Sequence, residues 1–124
     1  MNPDIAPFFD VVSGTWSYLV VDPSSRQAAI IDPVLDFDAA SARTDRIGAD
    51  RMLEQIRQRG LVVAWVLETH AHADHLSAAA YLKRELGAPV AIGAGIRKVQ
   101  ETFARVFNLD SDFACDGSDR KSVV

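Results

Sequence analysis

Residues 69–76 read Thr69-His70-Ala71-His72-Ala73-Asp74-His75-Leu76. All three histidines of the chain fall within six positions, interleaved with one carboxylate. Imidazole and carboxylate are the ligands of choice for zinc and for non-haem iron. A lone histidine has many bland explanations. Two at i and i+2, followed by Asp-His, form a far more specific pattern, and His70, His72, Asp74 and His75 are the candidate metal ligands. The plain alternatives are that Asp74 caps a following helix and that the histidines line a solvated loop.

The stretch just before the cluster explains its position. Leu61 to Leu67 is a continuous apolar run of seven residues. Such a run suits a strand covered on both faces, near the middle of a sheet. The C-terminal end of a rigid strand is a good platform for a site, because its loop is free to curl. In extended chain, side chains two apart point the same way. His70 and His72 are therefore expected to grip one metal, with Asp74 and His75 past a bend and facing a second. Two metals about 3.5–4 Å apart can hold and activate a water.

Working outward, Phe8 to Val12, Thr15 to Val21 and Gln27 to Ile31 read as strands. Ser13-Gly14 and Asp22-Pro23-Ser24-Ser25 are the turns between them, and Asp32-Pro33 is the stop. Short strands joined by tight turns imply an antiparallel meander. Residues 34–49 lack a firm period and read as a loop with one helical turn. From Asp50 a helix is expected, with Met52, Leu53 and Ile56 on one face, Asp50 as cap and Gly60 at the left-handed C′ position. Ser77 opens a second helix through Leu86, stopped by Gly87 and Pro89. Val90 to Ile92 is a short strand. Ile96, Val99, Phe103, Val106 and Phe107 follow helical spacing and are expected to pack one face. Residues 108–117 read as irregular. The order predicts an α/β layered fold with a mixed sheet. Trp16 and Trp65 are read as core or near-core packing. Asp32 is read first as a strand-end turn residue and second as a group lining the site.

Composition narrows the classes. At 124 residues the chain fits one domain, with 48% hydrophobic and 24% charged residues. A net charge of −4 points to neither nucleic acid nor an anionic membrane as partner. The single cysteine, Cys115, cannot form an internal disulfide, which fits a reducing compartment. Met1-Asn2-Pro3-Asp4 has no basic segment followed by an apolar one, so no signal peptide is expected. No apolar run nears the roughly 20 residues that span a bilayer. The expected location is the cytoplasm.

The segment Thr69 to His75 resembles the HxHxDH signature of the metallo-β-lactamase superfamily. That resemblance implies an αββα sandwich with metals at the edge between its two sheets. Gly14-Thr15-Trp16-Ser17-Tyr18, Ala29-Ile30-Ile31-Asp32-Pro33-Val34-Leu35-Asp36 and Leu67-Glu68-Thr69-His70 resemble persulfide dioxygenases and the similar β-lactamase-like hydrolases of bacterial sulfide-detoxification operons. The implied reaction is oxidation of glutathione persulfide to sulfite and glutathione on one Fe(II), for which His70 is one ligand. The implied substrate is a glutathione-based thiol or persulfide, and a homodimer of the full-length protein is compatible with the resemblance. In the glyoxalase II branch, His72, Asp74 and His75 match zinc or iron ligand positions. The alternative reaction is then hydrolysis of a thioester or other ester on one or two Zn, where an activated water attacks a carbonyl.

The resemblance runs from about Phe8 to about Ser118. Residues 1–118 are expected to form the N-terminal portion of a metallo-β-lactamase-fold domain. Asp119-Arg120-Lys121-Ser122-Val123-Val124 can be encoded by the start of a common sequencing-library adapter, and 119–124 is expected to be a non-native tail. On that expectation one sheet of the sandwich lacks its partner, further metal ligands lie beyond this chain, and the fragment alone is inactive and poorly soluble.

Overall fold

Two tight reversals build the first sheet. At the first, the Asp10 carboxylate accepts the amide of Ser13 at 2.8 Å, and the amide of Gly14 closes on the Asp10 carbonyl. Gly14 sits at φ 69°, a conformation that glycine adopts without a Cβ penalty. This turn joins β1 (Asp4–Asp10) to β2 (Thr15–Val21). At the second, Asp22 accepts hydrogen bonds from Ser24 and Ser25, turning the chain into β3 (Gln27–Ile31). The computed structural model describes residues 2–109 and 115. The 119–124 tail and most of the segment read as irregular lie outside the described residues.

Next come β4 (Val34–Asp38), β5 (Arg43–Asp45), α1 (Ile47–Arg59), β6 (Val62–Glu68) and β7 (Leu76–Ser77). The described chain continues with α2 (Ala79–Leu86), β8 (Val90–Ile92) and α3 (Ile96–Val106). The larger sheet has the order β1-β2-β3-β6-β8. Its first three strands are antiparallel, whereas β6 runs parallel to both β3 and β8, so the sheet is mixed as expected. The smaller sheet is β5-β4-β7. This is the α/β arrangement with a mixed sheet that the sequence predicts.

One face of the larger sheet is the core. Leu19, Val21, Ala28, Ile30, Val63 and Val66 meet Met52, Leu53 and Ile56 of α1 and Ala79 and Leu82 of α2. The cross-strand register places Ile5, Phe9, Trp16, Tyr18 and Trp65 together on the opposite face. All five are exposed.

Several expectations need correction here. The strand β6 is central in strand order but is covered on one face only; Val62 and Trp65 are open. Trp16 and Trp65 are therefore surface residues, about half exposed. Val11 and Val12 belong to the turn, because Asp10 reverses the chain first. The segment read as a loop holds β4 and β5. The helix α1 begins at Ile47, three residues before Asp50, because the Asp36 carboxylate reaches from β4 to take the Gly48 amide at 2.9 Å. Asp50 instead accepts the Tyr81 hydroxyl at 2.5 Å. The second helix starts two residues after Ser77, which pairs with Val34 in a strand. Helix α3 forms as spaced but buries none of its residues, so the expected packing of its apolar face is not seen.

No described helix is long and apolar enough to cross a membrane. Ile30 and Leu82 are fully buried. Ile30→Ala and Leu82→Ala should each lower unfolding free energy by about 2–5 kcal/mol in urea titrations. Val62→Thr, on the open face, should stay within about 0.5 kcal/mol of the parent. Equal losses at all three positions would contradict the core assigned here.

Candidate metal centre

The loop after β6 is held by Asp32. This residue ends β3 in the left-handed region, at φ 51°, where aspartate is among the few tolerated side chains. Three contacts fix its backbone surroundings. The Asp32 amide donates to the Leu67 carbonyl at 2.9 Å, and its carbonyl accepts the hydroxyl of buried Ser17 at 2.7 Å. The smaller sheet departs from here, as the Ala78 amide donates to the Pro33 carbonyl.

The Asp32 carboxylate then reaches across to the loop. It accepts the Thr69 amide at 2.8 Å, the Thr69 hydroxyl at 2.6 Å and His72 Nε2 at 2.9 Å. Glu68, the last residue of β6, places a second carboxylate oxygen 3.0 Å from the same nitrogen. Its other oxygen accepts the Ser77 hydroxyl.

These partners assign the protons on all three rings. The hydroxyl of Thr69 gives its proton to Asp32, so at 2.8 Å His70 Nδ1 must be the donor to Thr69 Oγ1. His72 Nε2 faces two carboxylates and carries its proton there. His75 Nδ1 donates to the Leu76 carbonyl at 3.0 Å. In the neutral rings, the free lone pairs are those of His70 Nε2, His72 Nδ1 and His75 Nε2.

His75 Nε2 is buried with no hydrogen-bond partner, the one such side-chain atom among the described residues. An orphaned buried nitrogen calls for a ligand. The Asp74 carboxylate lies 4.0 Å from it. One donor atom each from His72, Asp74 and His75 lies within 4.8 Å of the others. This nitrogen–oxygen set fits zinc or ferrous iron, and ring N–H groups held by carboxylates are the usual support behind metal-bound histidines.

The structure brings the four expected ligands into one cluster. His72 joins Asp74 and His75, while His70 stands beside it with ring centroids 4.2 Å apart. The segment bends as soon as β6 ends at Glu68, so the alternation of an extended strand does not carry through to His72. Sequence pattern alone assigns no site role to Glu68, Thr69 or Ser77. Their signal was weak, because each matters through a partner distant in space. Asp32 proves to belong to the site as well as to the turn.

The two carboxylates differ in character. Burial pushes Asp32 up, but the Thr69 hydroxyl and amide, with His72, outweigh it and hold the carboxyl below its usual range. Burial pushes Glu68 above its usual value, and Ser77 and His72 only partly offset this. Asp32 is thus the firmer anion of the pair.

The sequence matches the metallo-β-lactamase superfamily over residues 10–115. The chain belongs to that superfamily. Its members are metal-dependent hydrolases or dioxygenases. It is 49% identical over 87% of its length to a beta-lactamase hydrolase-like protein of Xylella fastidiosa, covering 25% of that protein. It is 36% identical over 60% of its length to the human mitochondrial persulfide dioxygenase ETHE1, covering 25% of that protein. The crystal structure of ETHE1 from Myxococcus xanthus superposes with a TM-score of 0.58 and 34% identity, over 70% of this chain and 34% of that one. The superfamily chain thus spans about a quarter to a third of the length of these relatives.

Asp32→Asn tests the anchor. Asparagine tolerates the left-handed backbone, so the fold is kept while charge-assisted hydrogen bonds are lost, at a cost of about 1.5–3 kcal/mol at pH 7. A carboxyl lowered by folding contributes fully above its ordinary value of 3.8 and loses that contribution as pH falls through the lower folded value. Thermal melts of parent and variant should therefore converge in strong acid. A gap unchanged from pH 7 to pH 2 would contradict this role.

Proposed function

We propose that this chain carries the metal loop of a persulfide dioxygenase acting on glutathione persulfide. The observation that carries the reading is the 34% identity and shared fold with the ETHE1 structure over 70% of this chain. The human relative bearing the same name is a persulfide dioxygenase. The balanced reaction consumes glutathione persulfide, dioxygen and water. The S–S bond breaks, the outer sulfur is oxidised to sulfite, and glutathione leaves as the thiol. Dioxygen is the oxidant and is fully reduced.

Ferrous iron, when bound, would offer adjacent open positions for sulfur and oxygen. The chain's own residues prepare the loop for it. His70 would present Nε2 as a ligand, its ring oriented by Thr69 and, through Thr69, by Asp32. His72, Asp74 and His75 would offer three further donors, which lie within 4.8 Å of one another, Asp74 being the most exposed.

Two observations favour a second reading. His72, Asp74 and His75 converge on one another, and the relative at 49% identity is named hydrolase-like. That donor set suits zinc and an activated water for ester or thioester cleavage.

Oxygen-electrode assays of the full-length, iron-loaded gene product separate the two. Dioxygenase function predicts uptake of one dioxygen per sulfite formed from glutathione persulfide. His70→Ala should lower it by more than the roughly 10–100-fold typical of a group behind a ligand. Absence of uptake, with oxygen-independent cleavage of S-lactoylglutathione by the zinc-loaded protein, would overturn the proposal in favour of hydrolysis.

A further inference from the structure

His72 Nε2 has one proton and two carboxylates to receive it, Asp32 at 2.9 Å and Glu68 at 3.0 Å. The Asp32 oxygen that faces the ring already accepts the Thr69 amide, so it holds the ring N–H only in part, and Glu68 supplies the second acceptor. The Glu68 side chain is 9% exposed, so solvent does not hold it in place. The Ser77 hydroxyl does, by donating to the other carboxylate oxygen. Ser77 is itself fixed twice. It pairs with Val34 in the small sheet, and its oxygen accepts the Ala79 amide at 3.0 Å, in the first turn of α2. A continuous polar chain therefore runs from the start of α2 through Ser77 and Glu68 to the His72 ring.

We propose that Glu68, held by Ser77, is a positioning residue that locks the His72 ring with Nδ1 turned to the metal and ties helix α2 to the metal loop. The inference rests on reading the histidine cluster as a metal centre. Two acceptors on one N–H, from Asp32 just after β3 and Glu68 at the end of β6, restrain the ring more than one would. Flipping the ring would replace the shared N–H by a C–H and leave the buried Glu68 oxygen without its partner, a costly state. A carboxylate behind the ring also makes its opposite nitrogen a stronger electron donor.

Two readouts on the 124-residue chain test this. Long-range ¹H–¹⁵N NMR of the metal-free chain reports which His72 nitrogen carries the proton, and zinc titration reports affinity. The wild type should show a single Nε2–H tautomer. Glu68→Ala and Ser77→Ala should give mixed tautomers and a loss of roughly 10–100-fold in zinc affinity. Ser77→Thr, which keeps the hydroxyl, should restore both. If the alanine variants unfold by circular dichroism, Glu68→Gln carries the test: it keeps the shape, loses the charge and should still weaken zinc binding. Wild-type tautomer and wild-type affinity in the folded variants would overturn the inference. A wild-type chain that takes up no zinc would count against the metal reading alone, and the tautomer readout would still decide the role of Glu68.

Discussion

The Asp32 carboxylate is the contact on which the site depends. It sits at the end of β3, in a backbone conformation few side chains accept, and reaches to the loop that follows β6. Those strands are parallel neighbours, so the residues after each emerge at the same edge of the sheet. One side chain can then serve two jobs. It closes the gap between strand ends, and it orients two histidines, one directly and one through Thr69. The Ser17 hydroxyl and the Leu67 carbonyl keep Asp32 itself from drifting.

From that anchor the charge pattern of the loop follows. Asp32, Glu68 and Asp74 surround three imidazoles, with the first two behind His72 and the third beside His75. Two carboxylates behind His72 and the Leu76 carbonyl beside His75 hold those ring N–H groups and leave His72 Nδ1 and His75 Nε2 for a ligand. A divalent cation there would offset the negative charge, and would supply the partner that His75 Nε2 lacks. The polar chain through Glu68 and Ser77 extends the same scaffold to α2, so helix packing and ligand geometry are mechanically linked.

Much of this was legible from local pattern. The strands β2, β3 and β8, the body of α1 and the extent of α3 follow from apolar spacing and turn residues. The histidine motif pointed to metal because its residue types and spacing are rare. What escaped the sequence was set by contacts distant along the chain. The strands β4 and β5 are rich in aspartate and short, so they show no alternation, yet pairing makes them a sheet. The start of α1 is fixed by Asp36 from another element rather than by a local cap. The apolar run before the histidines signalled a central strand correctly. It could not tell that one face is open, because an apolar run does not say which elements pack against each side of the strand. Glu68 and Ser77 were invisible as site residues for the same reason: nine positions separate two side chains that meet only after the loop has curled.

The central claim is that Asp32 and Glu68 fix the His72 proton and the Leu76 carbonyl fixes that of His75, so that the loop offers His72 Nδ1 and His75 Nε2 to a metal. A crystal structure of the zinc-loaded chain, with the ion located by anomalous scattering, tests it most directly. The account predicts zinc bound by His72 through Nδ1 and by His75 through Nε2, with Asp74 beside them and His72 Nε2 still directed at Asp32 and Glu68. Zinc bound through His72 Nε2, or held away from the histidine loop, would contradict it.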